Sequence, residues 1–127
     1  MSPNFSEILA VALGGGAGSV LRYLTKFVFS SVHGGIPWST LLVNTVGCFL
    51  IGLTLGSIES ERMSMSVGWR LFLVPGFLGG LTTFSTFSWE SIELWRSGQF
   101  FSAVAYAAAS IILGFIFAAL GRFSVSI

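Results

Sequence analysis

A chain of 127 residues that is 54% hydrophobic and only 9% charged has the makeup of a membrane protein, and its length suits a single domain, residues 1–127. Soluble domains carry about 25% charged residues. A net charge of +1 without a basic cluster excludes nucleic acid as a partner. The single cysteine, Cys48, lies in an apolar run, so no disulfide or thiolate metal site forms within one chain, and a buried inert thiol is expected. Met1-Ser2-Pro3-Asn4 lacks a basic lead-in, so no cleavable signal peptide is expected.

Four hydrophobic segments follow, each near the length of about 20 residues that a spanning helix needs. The expectation is an all-α membrane protein with helices over about 5–30, 38–58, 69–95 and 99–121. In the first, Gly14 and Gly18 share a face and allow another backbone to come close. Arg22 lies within the same span. An ionisable residue there marks a water-filled cavity or ion path by default, and a permanent guanidinium suits attraction of an anion. The alternative is snorkelling to the interface.

The joint Ser31–Pro37 holds two glycines, His33 and a proline suited to a helix start, and His33 reads as a surface residue. In the second segment Thr40 and Asn44 stack on one face and offer neutral hydrogen-bond groups. They serve either an ion path or interhelical glue. Gly52 and Gly56 are a packing pair. Residues 60–68 form the most polar stretch, with Glu61 and Arg62.

The third segment holds Gly79-Gly80-Leu81-Thr82-Thr83-Phe84-Ser85-Thr86-Phe87. Paired glycines and paired β-branched threonines make poor helix interior. The expectation is a helix broken at 79–83 near mid-membrane, restarting at Phe84. Lipid cannot satisfy freed backbone, so such a break must be buried in protein or line a wet cavity, and breaks of this kind hold ions in transporters. Phe84 and Phe87 lie three apart on one face, beside hydroxyls from Thr82 to Ser88. Ring edges are electropositive, so two rings held edge-on beside donors suit a small anion. Glu90 follows one turn on, a carboxylate within the span.

Arg96-Ser97-Gly98 reads as a helix stop. The fourth segment carries Tyr106, Ser110 and Gly114 as one stripe, which describes a polar track or ordinary packing. Trp38, Trp69 and Trp95 fall at the expected membrane boundaries. One side of the membrane then carries Arg62, Arg70 and Arg122, the other Lys26 and Arg96. That bias is too weak to fix orientation. Insertion both ways, with two inverted copies meeting at the break, gives an antiparallel homodimer. No nucleophile with a matching base, phosphate loop or metal-ligand cluster appears, so no enzyme is expected.

The third-segment motif from Gly79 to Phe87 resembles the signature of the Fluc (CrcB-type) fluoride channel family. Gly15-Gly16-Ala17-Gly18 with Arg22-Tyr23, Val43-Asn44 with Gly47 and Gly52, and Tyr106 with Ser110 resemble its other helix patterns. The resemblance spans nearly the whole chain. It implies a passive fluoride channel of a bacterial inner membrane, a dual-topology antiparallel dimer with two pores in contact with lipid. It further implies a structural sodium ion held by the carbonyls of Gly79 and Thr82 from both subunits. The fluoride path would comprise Asn44, Thr83, Phe84, Phe87, Glu90, Tyr106 and Ser110, with Arg22 lining an aqueous vestibule. Gly114 departs from relatives that continue the hydroxyl track. The rival is a small exporter or proton-coupled exchanger, which would want a titratable carboxylate near mid-membrane. Glu7 and Glu90 lie toward span ends.

Overall fold

The computed structural model describes residue 2, residues 4–29 and residues 35–125. His33 lies outside the described residues. The architecture is all-helical, and four stretches are long and apolar enough to cross a membrane: Phe5–Val28, Trp38–Glu59, Val67–Arg96 and Phe100–Phe123. Helix α1 (Phe5–Val28) opens with a capping box in which the Asn4 side chain accepts from the Glu7 N–H and the Glu7 carboxylate accepts from the Asn4 N–H. Glu7 is thereby a helix cap. Helix α2 (Trp38–Glu59) starts directly after Pro37.

The third span is composite. A short α3 (Val67–Leu71) runs into a π-helical stretch, Phe72–Leu78, and then into one α-helical turn, α4 (Gly79–Leu81). Pro75 lies inside the π-helical stretch. Proline cannot donate to the preceding turn, and widened turns are one way a helix absorbs that. Thr82 and Thr83 are then fully extended, with φ/ψ of −83°/156° and −154°/119°. Helix α5 (Phe84–Arg96) restarts at once, and α6 (Phe100–Phe123) follows a tight turn. In that turn Gly98 adopts φ +79°, its N–H donates to Trp95 and the Gln99 N–H donates to Leu94. This is the helix stop expected at Arg96-Ser97-Gly98.

The break is narrower than the expected 79–83, for a packing reason. Gly79 and Gly80 stay helical. A side chain at Gly80 would run into the Gly15 carbonyl, and one at Gly14 or Gly18 into the carbonyls of Phe72 and Phe77. Glycine at 80 therefore serves contact between backbones rather than unwinding. The Gly14–Gly18 face of α1 seats residues 72–81, with both segments running in the same direction. The second and fourth spans pair likewise. Gly52 and Gly121 bring α2 against α6, their missing side chains replaced by the backbone of Ala118 and Phe49. Glu59 and Arg122 join the same ends of those helices through an ion pair of 2.7 Å.

The buried apolar residues are few: Leu41, Leu94, Ala103 and Tyr106 form one cluster with Phe87, Ile36 and Leu113 against it, and Val43, Leu78 and Leu81 are buried nearer the break. Most of the apolar surface faces outward, and only 11% of the α6 window is buried. A helix apolar all round with so little burial is suited to lipid or to a second chain.

Candidate functional site

The extended pair Thr82–Thr83 lies midway along the span that runs from Val67 to Arg96. A continued helix would have sent the Thr83 N–H to the Gly79 carbonyl. Instead the Thr83 N–H donates to Asn44 Oδ1 at 2.8 Å, and Asn44 Nδ2 donates back to the Thr83 carbonyl at 3.1 Å. The amide of Asn44 thus pairs with the extended backbone as a neighbouring strand would. One Asn44 amide hydrogen remains for another acceptor. The Thr83 hydroxyl accepts from the Thr86 N–H at 3.2 Å and donates to the Thr86 hydroxyl at 3.0 Å, capping α5. Gly47 makes room for the Thr82 methyl group, which any side chain at 47 would strike.

A groove of about 610 Å³ opens beside the break. Its walls include Asn44, Thr83, Phe84, Phe87 and Ser110, together with Gly79 and Thr82. Gly114 and Cys48 line it further along. Cys48 is half-buried rather than enclosed, because it lines the groove. The Phe84 and Phe87 rings sit 5.6 Å apart and tilted by 50°. Phe84 is 79% exposed, so its ring stands over the open side. Ser110 Oγ is buried without a hydrogen-bond partner among the described residues. A buried hydroxyl in that state carries a desolvation cost unless something else accepts its proton.

Behind Phe87 lies a second cluster. Tyr106, 1% exposed, packs its ring 5.4 Å from Phe87 and donates its hydroxyl to Glu90 Oε2 at 2.8 Å. The Thr40 hydroxyl donates to Glu90 Oε1 at 2.9 Å. Both carboxylate oxygens therefore accept a hydrogen bond from a neutral hydroxyl. Glu90 and Tyr106 adjoin the groove through Phe87 but do not line it. Thr40 joins this cluster although the fluoride path implied by the family resemblance does not include it. Its four-residue spacing from Asn44 on α2 was the available signal.

Arg22 also stands apart from the groove. Its Nε donates to the Gly80 carbonyl at 3.1 Å, and Ser19 Oγ reaches the same oxygen at 3.4 Å. Among the described residues there is no group of three or more His, Cys, Asp or Glu side chains that could hold a metal ion. The oxygen atoms at the groove belong to backbone carbonyls, hydroxyls and the Asn44 amide.

Comparison with known proteins bears on these features. The family model described as "CrcB-like protein, Camphor Resistance (CrcB)" matches residues 9–122. The chain belongs to this family. It is 50% identical over 119 residues to a protein of Thermus thermophilus named "Fluoride-specific ion channel FluC", covering 89% of this chain and 88% of the relative. It is 43% identical over 115 residues to a protein of the same name from Hydrogenobaculum, covering 91% and 93%. A Leptospira interrogans protein, again of that name, is 40% identical over 119 residues, covering 91% and 93%. The match with the CrcB family takes in all four spans and the break. These relatives are named as channels, not enzymes. With its four spanning helices, this family member is a multi-pass membrane protein.

Proposed function

We propose that this CrcB-family protein is a passive fluoride channel of a bacterial inner membrane, which lets cytoplasmic fluoride leave down its electrochemical gradient. The observation that carries the reading is the groove at the helix break, where an amide, hydroxyls and two phenyl rings converge without a charged side chain. Fluoride is small and strongly hydrated, so a path for it must replace water with several donors. Asn44 and Ser110 supply hydrogen-bond donors, Thr83 holds the Asn44 amide in place through its backbone, and the edges of Phe84 and Phe87 supply positive potential without a competing anion. Tyr106 and Glu90 continue the path behind Phe87. Neutral donors also bind weakly enough for release, which conduction needs. The relatives named as fluoride-specific channels support the same substrate.

Two copies in antiparallel arrangement complete the channel, with one path on each. Three features support this. The groove is open along one side, extended backbone borders it, and lipid cannot satisfy such backbone. The positive charge is split between Arg62, Arg70 and Arg122 at one end and Lys26 and Arg96 at the other, too evenly to fix one orientation. A two-fold axis would bring the two breaks face to face.

A structural sodium ion at that axis fits the donors present. The Gly79 carbonyl has lost its α-helical N–H to Asn44, Thr82 lies beside it, and both residues line the groove. Carbonyl oxygens are hard neutral ligands suited to a hard cation. Two such oxygens per chain leave coordination incomplete without a second copy. When bound, the ion would supply positive charge that satisfies the freed carbonyls and ties the copies together.

The test is fluoride efflux from liposomes loaded with potassium fluoride, measured with a fluoride electrode. Release that begins on adding valinomycin and spares chloride is the expected result. Release that instead requires a proton gradient would replace the channel by an exchanger.

A further inference from the structure

At a helix end the last carbonyls have no intrahelical donor, and here the chain leaves the helix after Leu81. The freed carbonyls do not all go the same way. Gly79 and Thr82 line the groove. Gly80 is pressed against the backbone of Gly15 and does not, and its carbonyl accepts from Arg22 Nε at 3.1 Å and Ser19 Oγ at 3.4 Å. A guanidinium stays charged at any pH the protein meets, and a cation at a helix C-terminus is favoured by the helix dipole. The bond is charge-assisted and lies where backbone would otherwise be unsatisfied.

We propose that Arg22 is a positioning residue: delivered from α1, it caps the broken helix at Gly80 and so fixes where the helix stops. With Gly80 held on the α1 side, the chain turns out at Thr82–Thr83 in register with Asn44. The carbonyls of Gly79 and Thr82 are left for the groove. The residue therefore acts through the backbone of the break rather than on the permeating ion. Its consequence for flux rests on the fluoride-channel reading, whereas its consequence for the break does not.

Glutamine separates this role from simple attraction of an anion, because its Nε2 stands at the same bond position as the arginine Nε but carries no charge. The experiment compares Arg22→Gln with Arg22→Met in reconstituted dimer, reading fluoride efflux and backbone hydrogen exchange over residues 82–86. Arg22→Gln should keep efflux within about threefold of the parent, and Arg22→Met should lose about tenfold with faster exchange at Thr82 and Thr83. Equal losses in both variants, with unchanged exchange and recovery at high fluoride, would overturn the proposal in favour of charge attraction. Should the parent itself carry no fluoride, the exchange comparison still decides the cap: faster exchange in the methionine variant alone supports it, and equal exchange overturns it. If Arg22→Met does not fold, Arg22→Ala removes the same donor with a smaller side chain. Exchange at Thr82 and Thr83 then rises above that of Arg22→Gln if Gly80 capping holds the break, and equal exchange refutes it.

Discussion

Single side chains at this break do two things at once, and substitutions can separate them. Asn44 pairs with both backbone groups of Thr83, so Asn44→Ala removes two hydrogen bonds and should cost about 1–3 kcal/mol of stability besides impairing flux. Asn44→Asp keeps the acceptor for the Thr83 N–H but loses every amide donor. It should retain more stability than alanine yet still fail to pass fluoride, as thermal unfolding beside efflux would reveal. Equal stability of the two variants would mean the Thr83 N–H bond contributes little. Phe84→Ile and Phe87→Ile keep apolar volume and lose the ring edge, so efflux should fall by about tenfold or more while elution from a sizing column stays that of the parent. Unchanged rates in both would remove the rings from the path. At Glu90 the two hydroxyl donors are both nearly fully buried. Thr40→Val together with Tyr106→Phe leaves the carboxylate without partners and should destabilise by about 3 kcal/mol. A melting point equal to that of the parent would show that water or another group serves Glu90 as well.

At the scale of helices, the two glycines of the break carry opposite expectations. A methyl group at Gly79 finds nothing closer than the Val74 carbonyl at 3.8 Å, whereas one at Gly80 collides with the backbone of Gly15. Gly79→Ala should leave the packing of α1 within the chain intact, and Gly80→Ala should lower the melting temperature by prising α1 from residues 72–81. Normal melting of Gly80→Ala would mean that α1 can shift freely. This pair also shows what the sequence could and could not say. The glycines and threonines announced a disturbed helix, and the small-residue pairs Gly14–Gly18 and Gly52–Gly56 announced close helix contacts. The break itself shrank to Thr82–Thr83 because Gly80 answers to Gly15, a partner 65 positions away that periodicity cannot reveal. The π-helical turns around Pro75 leave no mark in the sequence pattern, because apolar patterning is blind to how many residues make a turn. Similarly, Arg22 and Glu90 could be recognised as exceptional in a membrane span. Their partners, the Gly80 carbonyl and the Thr40–Tyr106 hydroxyls, depend on tertiary contact.

For the whole molecule, the near balance of positive charge and the open groove belong to one explanation. In the proposed arrangement, a chain that inserts in both orientations would supply both halves of an antiparallel pair, and each half would cover the other's broken helix. Adding two lysines to the 60–68 loop should hold that loop on the cytoplasmic side, and adding them beside Arg96 should do the reverse. Either fixed form alone should give little fluoride efflux, and the two expressed together should restore it. Full activity from one fixed form would exclude the inverted pair.

The groove beside Thr82–Thr83 should pass fluoride and reject chloride. The most direct measurement is the reversal potential of the current through purified protein in a planar bilayer, with fluoride on one side and chloride on the other. Reversal far toward the fluoride equilibrium potential is the predicted result. Reversal near zero, with both halides carrying current, would contradict it.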